Sequence, residues 1–239
     1  MVFYDKEGNV YEFNISKDDY FDRGTKAKIY RISDNECLKV MNRDPDNYLR
    51  EYIYDVIKAL ALPTFVKINT PFYVKGKIKA YTMEYLKKAN ISILDMPIEY
   101  TLDNLNNMYM DLSILAKYWI DAYDLCRSNV IIGDTGMTII DYDAYKKCAS
   151  ESEALFYSVM NLVYTFRKIY ERALQEKGID IDNMMIDNVT IAEYLSSYLF
   201  KNEYENYTEE PSKVLKRKIG DVKTPMDLFR NIKNIWLRV

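Results

Sequence analysis

The residues best suited to chemistry lie in one stretch: Asp124, Asn129 and Asp141, distributed around Gly133-Asp134-Thr135-Gly136. The runs Val130-Ile131-Ile132 and Met137-Thr138-Ile139-Ile140 flank that turn and predict a hairpin. With Gly133 to Gly136 as the loop, Ile132 faces Met137 and Asn129 faces Ile140. Asn129 and Asp141 then leave the hairpin at the same open end, with the carboxylate of Asp124 just upstream. An amide and carboxylates within reach of one point suit an oxygen-liganded Mg²⁺. The same ends are equally those of an ordinary hairpin with solvated polar residues.

Composition narrows the chemistry. The 239-residue chain contains no histidine, which excludes Ser-His-Asp and Cys-His hydrolases and any His-ligated zinc site. A general base must be a carboxylate, Lys, Tyr or Cys. Cys37, Cys126 and Cys148 are odd in number and scattered, as expected of reduced thiols in a cytosol. A net charge of −3 gives no general attraction to nucleic acid or to an anionic membrane. No run reaches the roughly 18 apolar residues of a spanning helix, and the first residues lack a signal-peptide pattern. The length suits one large domain or two small lobes with an ample core.

Elements upstream must position the aspartates. Val2-Phe3-Tyr4 and Val10-Tyr11-Glu12-Phe13 predict a first hairpin, to which no chemistry is assigned. A turn at Gly24 separates two strands, and Lys26 and Lys28 beside it face either phosphates or solvent. In Glu36-Cys37-Leu38-Lys39-Val40-Met41 the period of two puts Cys37, Lys39 and Met41 on one face. Lys39 between apolar neighbours is either a site residue or an edge-strand lysine. Residues 48 to 62 read as a helix with Glu51 in its first turns, where a negative charge is favourable. Strands follow around Lys75-Gly76-Lys77, the second ending in Met83-Glu84-Tyr85-Leu86, and a polar linker covers 87 to 100. Helical patterns then span 101 to 120, with Thr101 as N-cap and Asn104 at N3, and 153 to 172 and 189 to 200. Residues 175 to 188 read as a loop. Lys216-Arg217-Lys218 reads as solvated surface or a weak nucleic-acid patch, and Thr224-Pro225 starts a last helix docked by Phe229, Ile232 and Trp236.

Asp124, then Asn129, the hairpin and Ile-Ile-Asp141 together resemble the catalytic loop and metal-binding strand end of the protein-kinase-like superfamily. The Ile140-Asp141-Tyr142-Asp143 ending is similar to that of aminoglycoside and choline kinases. Upstream residues resemble the family in the same order. Gly24 stands in the phosphate-covering loop, Cys37 above adenine, and Lys39 on the phosphates with Glu51 as its partner and Asp55 as a rival. Met83 stands as gatekeeper, and Glu84 and Leu86 as the hinge backbone that binds the adenine edge.

The resemblance implies an α+β, two-lobed kinase-like fold. Residues 1–86 would form a small antiparallel sheet-plus-helix lobe and 87–239 a mainly helical lobe. It further implies ATP and Mg²⁺ as cofactors, with Asn129 and Asp141 as metal ligands and Asp124 accepting the proton of an acceptor hydroxyl. The acceptor would be a small molecule, slightly favoured, or a protein.

Several positions depart from the family. Ala122-Tyr123 replaces His-Arg, and Cys126 replaces the catalytic-loop lysine, with Arg127 displaced by one. The glycine loop is sparse, and no Ala-Pro-Glu follows Asp143. A kinase-like binding or scaffolding protein is the second reading, and nucleotidyl transfer on the same scaffold a third.

Overall fold

Residues 1–16, 20–23, 26–42, 48–186, 189–195, 210–220 and 222–227 are described by the computed structural model. The organising element is a five-stranded, fully antiparallel sheet of β3 (Tyr20–Arg23), β4 (Ala27–Arg31), β5 (Glu36–Met41), β6 (Ile68–Val74) and β7 (Lys77–Glu84). Its spatial order is β3-β4-β5-β7-β6. Lys75 and Gly76 turn β6 into β7 with φ of 50° and 74°, the left-handed pair that a two-residue hairpin requires.

Alternation along β5 divides its side chains between two cores. Cys37 and Met41 join the main core with Tyr81 and Met83. Leu38 points to the other face and packs with Phe72 and Ala80. That second face is covered by the predicted N-terminal hairpin, β1 (Val2–Tyr4) and β2 (Val10–Glu12). Phe3, Tyr11 and Phe13 place their rings 5.3, 5.1 and 5.7 Å from that of Phe72. Burial of Phe72 alone is worth about 1.5–3 kcal/mol, so the hairpin is a structural cover for the sheet.

Helix α1 (Glu51–Leu60) buries Ile53, Tyr54 and Ile57 and stops at Ala61, whose φ is 47°. The second half of the chain is mainly helical, built on α2 (Ile98–Ala116) and α3 (Glu151–Glu176). Helix α2 starts earlier than predicted, because Pro97 has the extended backbone of an N-cap (φ −53°, ψ 142°). Thr101 is therefore no cap. It is fully buried, and its hydroxyl shares a 2.5 Å hydrogen bond with the Tyr170 hydroxyl, joining α2 to α3.

Short pairs complete the fold. They are β8 (Ile120–Asp121) with β11 (Lys146–Lys147), β9 (Val130–Ile132) with β10 (Met137–Ile139), and β12 (Met185–Ile186) with β13 (Val189–Thr190). The predicted 175–188 loop thus contains the end of α3 and a strand. Thr190 and Glu193 form a capping box on α4 (Ile191–Tyr194). The predicted extension to residue 200 lies outside the described residues beyond 195. Lys216, Arg217 and Lys218 lie in α5 (Pro211–Ile219). Thr224 and Asp227 exchange hydrogen bonds as a helix start should, while Phe229, Ile232 and Trp236 lie outside the described residues. No described helix is long and apolar enough to cross a membrane.

Candidate active site

The β9–β10 hairpin has the predicted register: Met137 opposes Ile132 and Ile139 opposes Val130, while Ile140 N donates to Asn129 O at 2.9 Å. Its turn closes through Gly133 N donating to Gly136 O at 2.9 Å. A Cβ on Gly133 would lie 3.0 Å from that same carbonyl, so a side chain there requires the turn to give by a few tenths of an ångström.

Surrounding elements fix the hairpin. The Tyr100 hydroxyl donates to Gly133 O at 2.6 Å, and Met137 N donates to Asn104 Oδ1 at 2.6 Å. Asn104, expected in the first turn of a helix, instead serves the hairpin from inside α2. Ala89 N donates to Ile132 O at 2.7 Å. On the other edge, Ile139 exchanges bonds with Thr64 O and Val66 N at 2.7 and 2.8 Å. Thr64 is held by buried Asp111, whose Oδ2 accepts from Thr64 N (2.8 Å) and Oγ1 (2.7 Å).

This framework delivers Asp141 and Asp143 to Lys39. The Lys39 ammonium is 3.0 Å from Asp141 Oδ2 and 2.5 Å from Asp143 Oδ2, and the lysine is only 3% exposed. Ile29 and Tyr81 flank Lys39 on the neighbouring strands. The Tyr81 hydroxyl donates to Asp143 Oδ1 at 3.3 Å. Two carboxylates thus face one ammonium, and they titrate as a pair. Burial opposes ionisation of Asp143 more strongly than Lys39 favours it, so its carboxyl is held up at about 7. Asp141 lies below the usual range: burial is overcome by the charge of Lys39 and by hydrogen bonds from Asp143 and Lys39. Lys39 is raised, since burial is outweighed by the two carboxylates. With both aspartates ionised the cluster carries one excess negative charge and only oxygen donors, a donor set that fits a hard divalent cation.

The other predicted residues distribute as follows. Asp124 has a left-handed backbone (φ 71°) and an exposed side chain, 3.5 Å from Lys26 Nζ. Lys26 therefore faces Asp124. Asn129 Nδ2 donates to Asp124 O at 2.8 Å, and among the described residues its Oδ1 accepts only a 3.4 Å contact from Ser128. Glu51 is not brought to Lys39. It pairs with Lys6 of the β1–β2 turn at 2.7 Å, drawn outward by an exposed cation, while Asp143 occupies the place beside Lys39. Gly24 lies outside the described residues.

A cleft of about 850 Å³ is lined by Ile29, Cys37, Met83, Glu84, Leu86 and Ile140 among others. These include the predicted adenine contacts Cys37, Met83, Glu84 and Leu86. Burial pushes the Cys37 thiol up to about 11, leaving it neutral and apolar in character. Lys39, Asp124 and Asp141 are not in the lining, which sets the apolar wall of Ile29, Cys37, Met83 and Ile140 against charged residues such as Arg127, Arg172 and Glu176; the ion cluster lies beside it, with the Asp141 side chain 34% exposed. Asp143 and Tyr81 are the site residues that the sequence reading missed. The period of two in Asp141-Tyr142-Asp143 was the available signal for the first. Tyr81 became visible only through its register opposite Lys39.

Neither a protein-family model nor a curated protein matches the chain. Among solved structures it is similar to the Legionella pneumophila Lpg2603 kinase bound to IP6, at 16% identity and a TM-score of 0.44. That similarity covers 68% of this chain and 63% of the other, so the chain spans less than two-thirds of that structure's length.

Proposed function

We propose that the chain is a kinase-like phosphotransferase that moves the γ-phosphoryl group of Mg·ATP to a hydroxyl of a small molecule or protein. Residues 1–86 would form the nucleotide-covering lobe and 87–239 the catalytic lobe. The observation that carries this reading is the buried cluster joining Lys39 of the sheet to Asp141 and Asp143 at the hairpin end, 104 residues from Lys39 to Asp143. A cleft with one apolar wall (Ile29, Cys37, Met83, Ile140) beside a cation–carboxylate cluster suits a ligand with a flat apolar end and a polyanionic end.

In this reading the nucleoside lies against Ile29, Cys37 and Met83 and the hinge backbone of Glu84 and Leu86. Lys39 orients the α- and β-phosphates. Asp141 and Asn129 would hold Mg²⁺, which neutralises phosphate charge when bound. Among the described residues no three His, Cys, Asp or Glu groups gather as a self-sufficient metal site. That matches an ion which takes one or two carboxylates and completes its shell with substrate phosphates and water. Asp124 accepts the acceptor's proton as the new P–O bond forms and the bond to the β-phosphate oxygen breaks, releasing ADP. Such catalysis is positioning plus charge neutralisation.

A second reading, a nucleotide-binding scaffold without transfer, is favoured by Glu51 being held by Lys6 and by Cys126 standing where the family has lysine. Thermal unfolding of wild type and Asp141→Asn, with and without millimolar Mg·ATP, tests the site. Nucleotide at about 100 times its Kd should add about 2.7 kcal/mol. The stabilisation should need Mg²⁺ and shrink in Asp141→Asn; no shift in wild type rejects both readings. Where it occurs, release of ADP that Asp124→Asn abolishes separates transfer from scaffold.

A further inference from the structure

Beside Asp124 the surface changes character. Tyr52, Tyr118, Trp119 and Tyr123 are 42, 46, 46 and 48% exposed, a concentration of half-uncovered rings that core packing does not require. Two lysines of β11 lie among them. Lys146 Nζ sits 3.1 Å from the centre of the Tyr123 ring, and Lys147 Nζ lies 5.3 and 5.8 Å from those of Tyr52 and Trp119. Among the described residues neither ammonium forms an ion pair. Asp121, opposite Lys146 across the β8–β11 ribbon, is buried; burial pushes its carboxyl up to about 6 against the pull of Lys146, so it offsets the lysine's charge only in part.

The backbone holds this surface at a cost. Trp119 has φ of 62°, a region that bulky residues avoid and glycine occupies freely. The Tyr52 hydroxyl donates to Tyr118 O at 2.9 Å, tying α1 to the same segment. A half-exposed tryptophan held in the left-handed region, beside two lysines that lie over aromatic rings without forming an ion pair, is a surface suited to recognition.

We propose that this aromatic–lysine surface docks an acidic polypeptide segment and presents its hydroxyl-bearing side chain to Asp124. The proposal rests on the phosphotransfer reading for the second half of that statement only. Carboxylates of the segment would pair with Lys146 and Lys147, and its side chains would lie on Tyr52, Trp119 and Tyr123. Nucleic acid fits less well, because the patch offers two cations where phosphate-backbone binding needs many.

The test uses the full chain without nucleotide and a random Glu-Tyr copolymer as probe, with binding followed by tryptophan fluorescence. Saturable binding is expected, with a signal lost in Trp119→Phe. Lys146→Ala/Lys147→Ala should weaken it at least tenfold, and the Lys→Arg pair should retain it. Trp119→Gly, which relieves the left-handed backbone, should melt higher than wild type yet bind at least fivefold more weakly by calorimetry, which does not depend on the tryptophan signal, separating recognition from folding. No saturable binding, indifference to the lysine pair, or tighter binding of a dT20 oligonucleotide or of phosphatidylserine vesicles overturns the proposal. Docking is scored without Mg·ATP, so copolymer binding in a protein that Mg·ATP does not stabilise would uphold docking while refuting phosphotransfer.

Discussion

Replacing Asp143 by Asn should stabilise the metal-free protein at alkaline pH, although it removes a partner of a buried ion pair. Deleting one member of such a pair ordinarily costs about 3–5 kcal/mol, because the other charge is stranded. Here Lys39 keeps Asp141 at 3.0 Å, and Asp143 is the surplus carboxylate. Its folded-state value of about 7 lies above the ordinary 3.8 of an aspartate. Below about pH 4 both folded and unfolded chains hold the proton, and the group contributes nothing to pH dependence. Between 3.8 and 7 the unfolded chain loses the proton that the folded one keeps, so stability falls as pH rises through this window. At about 1.4 kcal/mol per pH unit the full effect is about 4 kcal/mol by pH 8. Asn has no proton to lose, so Asp143→Asn escapes this fall; Asp141, which titrates together with Asp143, keeps Lys39 beside it in the variant and stays below the usual carboxylate range. Urea unfolding in EDTA at pH 4.5, 6 and 8 should show the variant gaining on wild type by about 3 kcal/mol across the series, since about 1 kcal/mol of the effect lies below pH 4.5. A loss of 3 kcal/mol or more at pH 8 with no trend would refute the surplus-carboxylate argument.

Other consequences follow from the same geometry. Mg²⁺ and ATP should bind cooperatively, because a phosphate that takes Lys39 leaves two carboxylates uncompensated; calorimetry should find ATP binding at least tenfold weaker in EDTA. Asp111→Ala leaves Thr64 N–H without its acceptor and should cost about 1–3 kcal/mol in urea unfolding. Gly133→Ala forces a Cβ to 3.0 Å from the Gly136 carbonyl and should cost about 1–3 kcal/mol, whereas Gly136→Ala meets Asn104 Oδ1 at an ordinary 3.4 Å and should cost less, by the same measurement. Glu51→Gln removes an exposed pair with Lys6 and should change stability by less than about 1 kcal/mol; a large loss of ADP release in that variant would show that Glu51 reaches Lys39 during turnover.

What the chain reveals before folding depends on how local the cause is. The β9–β10 register was legible because turn residues and β-branched runs are neighbours in sequence, and Lys39 because strand alternation is local. The N-cap at Thr101 failed because two local signals competed: Pro97 starts α2 earlier, and Thr101 is then carried onto the face that meets Tyr170. Asp111 lies on the buried stripe of Met108, Leu112 and Leu115, where a carboxylate should have signalled a buried partner. The pairing of Glu51 with Lys6 had no such signal, since either lysine could reach a carboxylate in an α1 first turn. The choice is made by the β1–β2 hairpin, which packs on Phe72 for hydrophobic reasons and thereby sets Lys6 over α1. Asp143 follows from that choice. With Glu51 held outside, a buried lysine needs a counter-charge from elsewhere, and the hairpin end supplies two. The outer cover of the sheet and the ionic state of the inner site are thus linked through Glu51. One carboxylate satisfies the lysine; the second makes the pocket electrostatically incomplete, and that imbalance is the site's most specific chemical statement.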